Sequence, residues 1–177
     1  MKVVQLAKYK LRRVKRVLIG KDRNASNHNT SNRVVRRDVV FIPVGQNAEL
    51  EVYWKLTQLG NGPSIILYVL SQPVIRFDCF GADAGHAHLY IPVAATKRES
   101  RWWLPETSIE DQIERGLFEI SKNTNYWIQR HRNPIVYETN VNAQAIEKAV
   151  DTAREYMHDY AERTRAVLYT RTEVSVH

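Results

Sequence analysis

Residues 74–92, V-I-R-F-D-C-F-G-A-D-A-G-H-A-H-L-Y-I-P, contain two alternating segments joined by a short loop at residues 81–85. Alternation of apolar and polar residues around a glycine-containing connection predicts a β-hairpin. Side chains alternate between the two faces of a strand. The apolar positions therefore share one face: Ile75, Phe77, Cys79, Ala87, Leu89 and Ile91. The hairpin is expected to belong to a sheet that buries this face.

The other face of the hairpin carries groups that can transfer protons or bind phosphate. Its members are Arg76, Asp78, His86, His88 and Tyr90. The register that matches the apolar faces pairs Asp78 with His88, and it also pairs Arg76 with Tyr90. Cross-strand partners have Cβ atoms about 4.5–5.5 Å apart. We therefore expect these five side chains to form a cluster on the face opposite the core, and we expect Asp78 to raise the pKa of His88.

Length and composition indicate an ordinary globular protein. A chain of 177 residues with 44% hydrophobic residues suits one domain. The single cysteine, Cys79, lies on the predicted core face, which excludes a disulfide framework and a thiol metal cluster. No apolar run approaches the roughly 18 residues of a membrane span, and no signal-peptide core is present. A cytoplasmic protein is expected, because reduced thiols are typical of that compartment.

Positive charge is concentrated at the N-terminus. Residues 1–37 contain 12 Lys and Arg and one acidic residue, Asp22, whereas residues 38–177 contain 14 Lys and Arg against 18 Asp and Glu. The body of the chain is therefore slightly acidic, and all of the excess positive charge comes from the first 37 residues. Such an asymmetry indicates a polyanionic partner.

Residues 1–33 are interpreted as a basic arm and polar linker, followed by a single domain at residues 34–177. Apolar residues at helical spacing in residues 2–19 favour a basic amphipathic helix, although a strand is also open. The candidate nucleic-acid contacts in the arm are Lys8, Lys10, Arg12, Arg13, Lys15 and Arg16. A membrane-surface helix, a packed helix with a solvated basic face and an organelle transit peptide are the alternatives.

The domain is predicted to be α+β, an antiparallel meander of about five strands with two C-terminal helices on one face. Strands are expected at residues 34–44, 50–57 and 65–70, followed by the two strands of the hairpin. Thr107 and Glu110 match a capping box that opens the first helix. The second helix is expected at about residues 142–168, with Ile146, Val150, Ala153, Met157 and Tyr160 on its buried side.

Further basic and aromatic residues outside the arm are candidates for contacts with nucleic acid. Residues 97–105 read as a basic and aromatic loop that supplies Arg101 and Trp102. Arg130 and Arg132 lie near the end of the first predicted helix. Arginine and aromatic side chains bind backbone phosphates and stack on bases, respectively.

The polar cluster of the hairpin allows three interpretations. In the first, the two histidines act as acid and base on RNA, Asp78 orients one ring, and Arg76 and Tyr90 contact phosphate or base. In the second, His86 and His88 bind a metal ion, because both imidazoles point to one side. Arg76 argues against a dication there, so no cofactor is expected. In the third, the cluster is an ordinary polar surface without chemistry.

The segment Arg76 to Phe80 with His86, His88 and Tyr90 resembles a group of small bacterial proteins that share an R-F-D-C-F segment followed by H-x-H-x-Y. Some of those proteins are regarded as toxins of toxin–antitoxin pairs. The resemblance covers about a fifth of the chain and implies a small, RNA-directed protein with a protein partner such as an antitoxin. The function expected is an acid/base ribonuclease of toxin or defence type. The alternative is a non-catalytic module that binds nucleic acid, RNA before DNA, or protein.

Overall fold

The computed structural model of the chain describes residues 34–90 and 100–174, apart from the side chains of residues 164 and 166–174. The predicted basic arm and its six candidate contacts lie outside the described residues. So does Ile91, the last apolar residue of the predicted hairpin.

The sheet is an antiparallel meander whose six strands lie in sequence order. They are β1 (Val35–Val44), β2 (Ala48–Leu56), β3 (Asn61–Val69), β4 (Gln72–Asp78), β5 (His86–Leu89) and β6 (Ser100–Trp103). Strand β6 occupies part of the segment predicted as a loop, because its backbone pairs with β5 along residues 100–103. The α+β class and the meander are confirmed, with one strand more than expected.

Three helices follow the sheet: α1 (Ile109–Ile128), α2 (Pro134–Tyr137) and α3 (Ala143–Val174). Helix α1 begins one residue later than a Thr107 cap would place it, because the hydroxyl of Ser108 accepts the Asp111 backbone N–H at 3.0 Å. Helix α3 begins after Asn142, whose side-chain oxygen accepts the Ala145 N–H at 3.0 Å. None of the helices in the described part of the chain has the length and apolarity needed to cross a bilayer.

The helices bury the apolar face of the sheet. The predicted buried side of α3 is confirmed, with Ile146, Val150, Ala153, Met157 and Tyr160 all in the core. In α1 a glycine lets the helix approach the sheet, since a Cβ at Gly116 would lie 2.9 Å from Cγ of Phe77. Cys79 is fully buried in this core, as expected from its face. The face that carries the histidines is turned away from the helices.

The connection between β4 and β5 is longer than predicted, and the register differs by two residues. It contains a turn of 3₁₀ helix at Ala82–Ala84. Asp78 pairs with His86 and Arg76 pairs with His88, so the predicted pairing of Asp78 with His88 is wrong. A shift of two residues leaves every side chain on its predicted face, because strand side chains repeat with a period of two. The hydrophobic pattern is satisfied equally well by both registers.

Candidate functional site

A row of side chains crosses the sheet on the face opposite the helices. Directly paired positions on strands β2 to β6 place the row in this order: Tyr53, Ser64, Asp78, His86 and Trp103. His88 lies two residues along β5 from His86 and therefore on the same face. The meander thus brings together groups from separate parts of the sequence around Asp78.

Asp78 is the centre of the cluster, and four nitrogens surround one of its oxygens. Oδ2 lies 2.6 Å from Nζ of Lys55, 3.3 Å from Nε of Arg76, 3.3 Å from Nε2 of His86 and 3.2 Å from Nε2 of His88. The other oxygen, Oδ1, accepts a hydrogen bond of 2.8 Å from the hydroxyl of Ser64. The carboxyl group is fully buried. One aspartate therefore contacts both histidines, Lys55 and Arg76.

Lys55 is a member of the cluster that the sequence interpretation missed. Its side chain starts on β2 and crosses β3 to reach Asp78 on β4. The crossing passes small residues, because Lys55 pairs with Gly62 and the neighbouring residue on this face of β3 is Ser64. A signal was present in the sequence: Lys55 lies on the polar face of an alternating strand, and the next strand offers glycine and serine where larger side chains would block its path.

Asp78 is an anion in this environment. Burial favours its neutral form, but hydrogen bonds from His86 and His88 and the charges of Arg76 and Lys55 outweigh it and hold the pKa of Asp78 well below its usual range. Burial lowers the pKa of Lys55, while Asp78 opposes that change. The carboxylate therefore stabilises the cationic groups that surround it.

The hydrogen bonds of His86 define where its protons lie. Nδ1 is 2.7 Å from the backbone oxygen of Ala84, and a carbonyl oxygen only accepts, so Nδ1 carries a proton. Nε2 faces the Asp78 carboxylate at 3.3 Å, which is also an acceptor. Both ring nitrogens of His86 therefore face oxygen acceptors.

The surroundings of His88 favour its neutral form. Burial lowers the pKa of His88, and the charges of Arg76 and His86 act in the same direction, against the favourable contact with Asp78. The contact with Asp78 raises the pKa of His88, as predicted, but burial and the neighbouring positive charges outweigh this effect. The cost of removing the ring from water and the neighbouring positive charges exceed the benefit of the carboxylate. Nε2 of His88 faces the acceptor oxygen of Asp78 at 3.2 Å, so a neutral ring with its proton on Nε2 carries its basic lone pair on Nδ1.

Arg76 and Tyr90 are also brought to the cluster, but not as cross-strand partners. Nη1 of Arg76 lies 3.3 Å from the hydroxyl of Tyr90. The backbone N–H of Tyr90 donates to the carbonyl of Val74 at 3.3 Å, so Tyr90 lies diagonally across from Arg76. The five predicted site residues are together on one face, as their alternation indicated.

The histidine face is more enclosed than predicted. Only 1% of His86 and 4% of His88 is exposed, so the cluster is not an open surface. At its rim Arg76 and Tyr90 are partly buried. Trp103 is 49% exposed. The cluster is therefore a buried and mutually paired network and not a solvated surface, and whether it serves chemistry or the fold alone stays open to experiment.

Strand β6 supplies Trp103 rather than Trp102 to this face. The ring centres of Trp103 and His86 are 5.1 Å apart, and the guanidinium carbon of Arg101 lies 5.6 Å from the centre of the Trp103 ring. Trp102 points to the helical side, where Arg115 lies over its ring at 5.3 Å. Trp102, predicted to contact nucleic acid, therefore does not lie on the histidine face, because residues 100–103 form a strand and its side chains alternate; its role in binding stays a prediction.

Arg130 and Arg132 are exposed but do not join the cluster. They follow the end of α1, in the helical layer on the opposite side of the sheet. The guanidinium carbon of Arg130 lies over the ring of Tyr126 at 3.6 Å. Their role in binding nucleic acid stays a prediction, as does that of the arm.

Asp78, His86 and His88 have the residue types of a metal site, and their ligand atoms lie within 4.8 Å of one another. The surroundings do not suit a dication. The carboxylate oxygen that would bind the ion already accepts from Lys55 at 2.6 Å and lies 3.3 Å from Arg76. Two fixed positive charges at these distances would repel a divalent ion. The charges around these ligand atoms therefore disfavour a divalent ion.

The paired and buried histidines predict a loss of stability in mild acid. His88 and the buried His131 both have pKa values lowered from 6.5, with burial the largest cause. Below pH about 6.5 these two histidines bind protons in the unfolded chain but not in the folded protein. Their contribution to the free energy of unfolding is therefore fully present above that pH and is lost as the pH decreases. The pKa of Asp78 is lowered in the folded protein, so its contribution to stability is lost at lower pH, below the ordinary aspartate pKa of about 3.9. Urea unfolding at pH 7.5, 6 and 5 should show a decreasing free energy of unfolding.

A variant with both His88→Gln and His131→Gln provides the control for this pH dependence. Neither replacement titrates, so the double variant should show a shallower decrease between pH 7.5 and pH 5. A free energy of unfolding that is the same at all three pH values in the unmodified protein would contradict the lowered pKa values.

No protein-family model, no curated protein and no solved structure matches this chain. Its site must therefore be interpreted from its own geometry.

Proposed function

We propose that the protein is an RNA-directed acid/base ribonuclease of toxin or defence type. The observation that carries this proposal is the pair of histidines on one carboxylate: Nε2 of His86 lies 3.3 Å and Nε2 of His88 lies 3.2 Å from Asp78, and Nδ1 of His86 is 2.7 Å from the Ala84 carbonyl oxygen. Two imidazoles beside one carboxylate can supply a base and an acid, because an imidazole titrates near neutral pH. The toxin or defence role is supported by the resemblance of residues 76–90 described above.

The reaction follows from these two roles. Nδ1 of His88 takes the proton of a ribose 2′-hydroxyl, and the 2′-oxygen attacks the adjacent phosphorus. The bond from phosphorus to the 5′-oxygen breaks, and His86 gives a proton to that oxygen. The products are a 2′,3′-cyclic phosphate and a 5′-hydroxyl. No oxidant, reductant or metal ion is required.

The cations around Asp78 fit the charge of the reacting phosphate. Negative charge accumulates on the phosphate oxygens in the transition state, and fixed positive groups in a water-poor site stabilise it strongly. Arg76 lies at the rim of the cluster and is the candidate for this contact, with Tyr90 beside it. Lys55 acts through Asp78, which it holds at 2.6 Å.

Trp103 favours an unpaired RNA substrate. Its half-exposed ring lies 5.1 Å from the His86 ring, and Arg101 is next to it. A base that stacks on this indole would place its phosphate near His86, and only an unpaired base can do so. Because the histidines are nearly inaccessible, the proposal requires the rim of the cluster to open when RNA binds.

A non-catalytic nucleic-acid-binding module is the second candidate. The low exposure of His86 and His88, 1% and 4%, favours it, because a buried network can serve the fold alone. In that case Arg101 and Trp103 would bind RNA without any cleavage. A protein partner such as an antitoxin is compatible with either candidate.

Incubation with end-labelled single-stranded RNA in the presence of EDTA tests the proposal. Cleavage is expected to continue at the same rate with the chelator, since the residues supply both acid and base. Cleavage that stops on chelation and returns with added metal would favour the metal interpretation. Binding without cleavage under both conditions would leave the non-catalytic module.

Deletion of residues 1–33 is expected to weaken RNA binding and to reduce its salt dependence. The deleted segment contains 10 Lys and Arg and one Asp, and it ends before β1. Each lost contact with a phosphate should reduce the slope of log K against log salt by about 0.7 for a single strand. Binding titrations between 50 and 200 mM salt (about the usual range for such slopes) measure both quantities. An unchanged affinity and slope would contradict the role of the arm.

A further inference from the structure

Gln112 on helix α1 holds the connection between β4 and β5. Its side-chain oxygen accepts the backbone N–H of Gly81 at 2.9 Å. Its amide nitrogen donates to the carbonyl oxygens of Ala82 at 3.2 Å and Glu106 at 2.7 Å. Gln112 itself is fully buried. One side chain of the helical layer therefore satisfies three backbone groups around the loop.

The loop is shaped to receive this amide group. A Cβ at Gly85 would lie 2.2 Å from three atoms of the Gln112 amide group, so only glycine leaves room for it. The carbonyl of Gly85 also accepts the backbone N–H of Leu104 at 3.0 Å, which ties the loop to the end of β6. The position of the loop is fixed by close packing as well as by hydrogen bonds.

The same loop carries the carbonyl that orients His86. Ala84 lies two residues after Ala82 in the 3₁₀ turn. The backbone oxygen of Ala84 lies 2.7 Å from Nδ1 of His86. We propose that Gln112 is a positioning residue that, by clamping residues 81–85, fixes the Ala84 carbonyl on Nδ1 of His86 and directs Nε2 of that ring to Asp78. The catalytic consequence rests on the proposed function, whereas the effect on the ring does not.

Only an amide group meets these requirements. The site needs an acceptor for one N–H and donors for two carbonyl oxygens, which glutamine provides from a single planar group. An apolar side chain of the same length would leave three backbone groups without this partner in a buried place. Such a loss costs free energy and releases the loop.

Two variants disrupt the contact between Gln112 and residues 81–85, one by changing the helix and the other by changing the loop. Gln112→Met keeps the length of the side chain and removes the hydrogen bonds, and Gly85→Ala displaces the Gln112 amide through the close contact. Nitrogen-15 NMR of the imidazole rings reports which nitrogen of His86 carries a proton. In the unmodified protein Nδ1 of His86 should be in the protonated range. In both variants the protonated fraction of Nδ1 should fall, and cleavage should fall by about 10²-fold if the ring is misplaced.

Asn123→Met is the matched control, since Asn123 lies on the same helix and bonds Glu119 instead of the loop. It should leave the His86 spectrum unchanged. The proposal is overturned if Nδ1 of His86 carries no proton in the unmodified protein, or if a folded Gln112→Met or Gly85→Ala protein keeps the original spectrum. A changed spectrum in a protein that never cleaves RNA would support the positioning role and refute the ribonuclease.

Discussion

Replacement of His88 by Gln is expected to reduce RNA cleavage by about 10²–10⁴-fold, and His86→Gln should have an effect of the same order. His88 supplies the base in our proposal, and His86 supplies the proton for the leaving oxygen. Glutamine keeps a polar side chain of similar size without a titrating ring, which matters because both histidines are nearly fully buried. Rates of cleavage of single-stranded RNA at saturating protein measure the effect.

His158→Gln provides the control for the loss of a histidine elsewhere. His158 is partly exposed on α3, where Nε2 lies 3.0 Å from Glu114. This variant should cleave RNA at the original rate. If His86→Gln and His88→Gln remain folded, as judged by urea unfolding, and still cleave RNA as fast as His158→Gln, the acid and base roles are wrong.

Asp78→Asn is expected to cost about 3–5 kcal/mol of stability, the usual result of removing one partner of a buried ion pair. Lys55 and Asp78 are 2.6 Å apart, and their side chains are only 8% and 0% exposed. Without the carboxylate, the ammonium group and the neighbouring Arg76 lose their shared anion in a place with little water. The free energy of unfolding in urea measures the cost.

A surface pair provides the comparison for this effect. Lys122 and Glu147 are 2.8 Å apart, but their side chains are 56% and 52% exposed. Glu147→Gln should cost less than about 1 kcal/mol. Adding Lys55→Met to Asp78→Asn should recover part of the loss, because the uncompensated charge is removed. An Asp78→Asn protein as stable as Glu147→Gln would show that Asp78 is not the electrostatic centre of the face.

The sequence pattern was sufficient to predict β1 to β5, their buried face and the grouping of the five site residues on the other face. It could not determine the register between β4 and β5. Moving the pairing by two residues leaves both faces unchanged, so pairing Asp78 with His88 or with His86 satisfies the same hydrophobic pattern. The longer connection is held by Gln112, which lies 31 residues beyond Gly81. A local pattern does not contain that information.

The residues missed at the site depend on contacts between distant elements. Lys55 reaches Asp78 from two strands away, which requires the order of strands and the small residues of β3. Trp103 could be assigned to the histidine face only once residues 100–103 were known to pair with β5. The net shift in the pKa of His88 depends on burial, which residue types alone do not determine.

The most direct measurement of the central claim compares two RNAs of one sequence, one unmodified and one with 2′-O-methyl groups throughout. The mechanism needs a 2′-hydroxyl that His88 deprotonates. We predict that the unmodified RNA is cut to fragments with 2′,3′-cyclic phosphate and 5′-hydroxyl ends, while the methylated RNA is bound and remains intact. Equal cleavage of both RNAs, or fragments with 5′-phosphate ends, would contradict acid/base catalysis by His86 and His88.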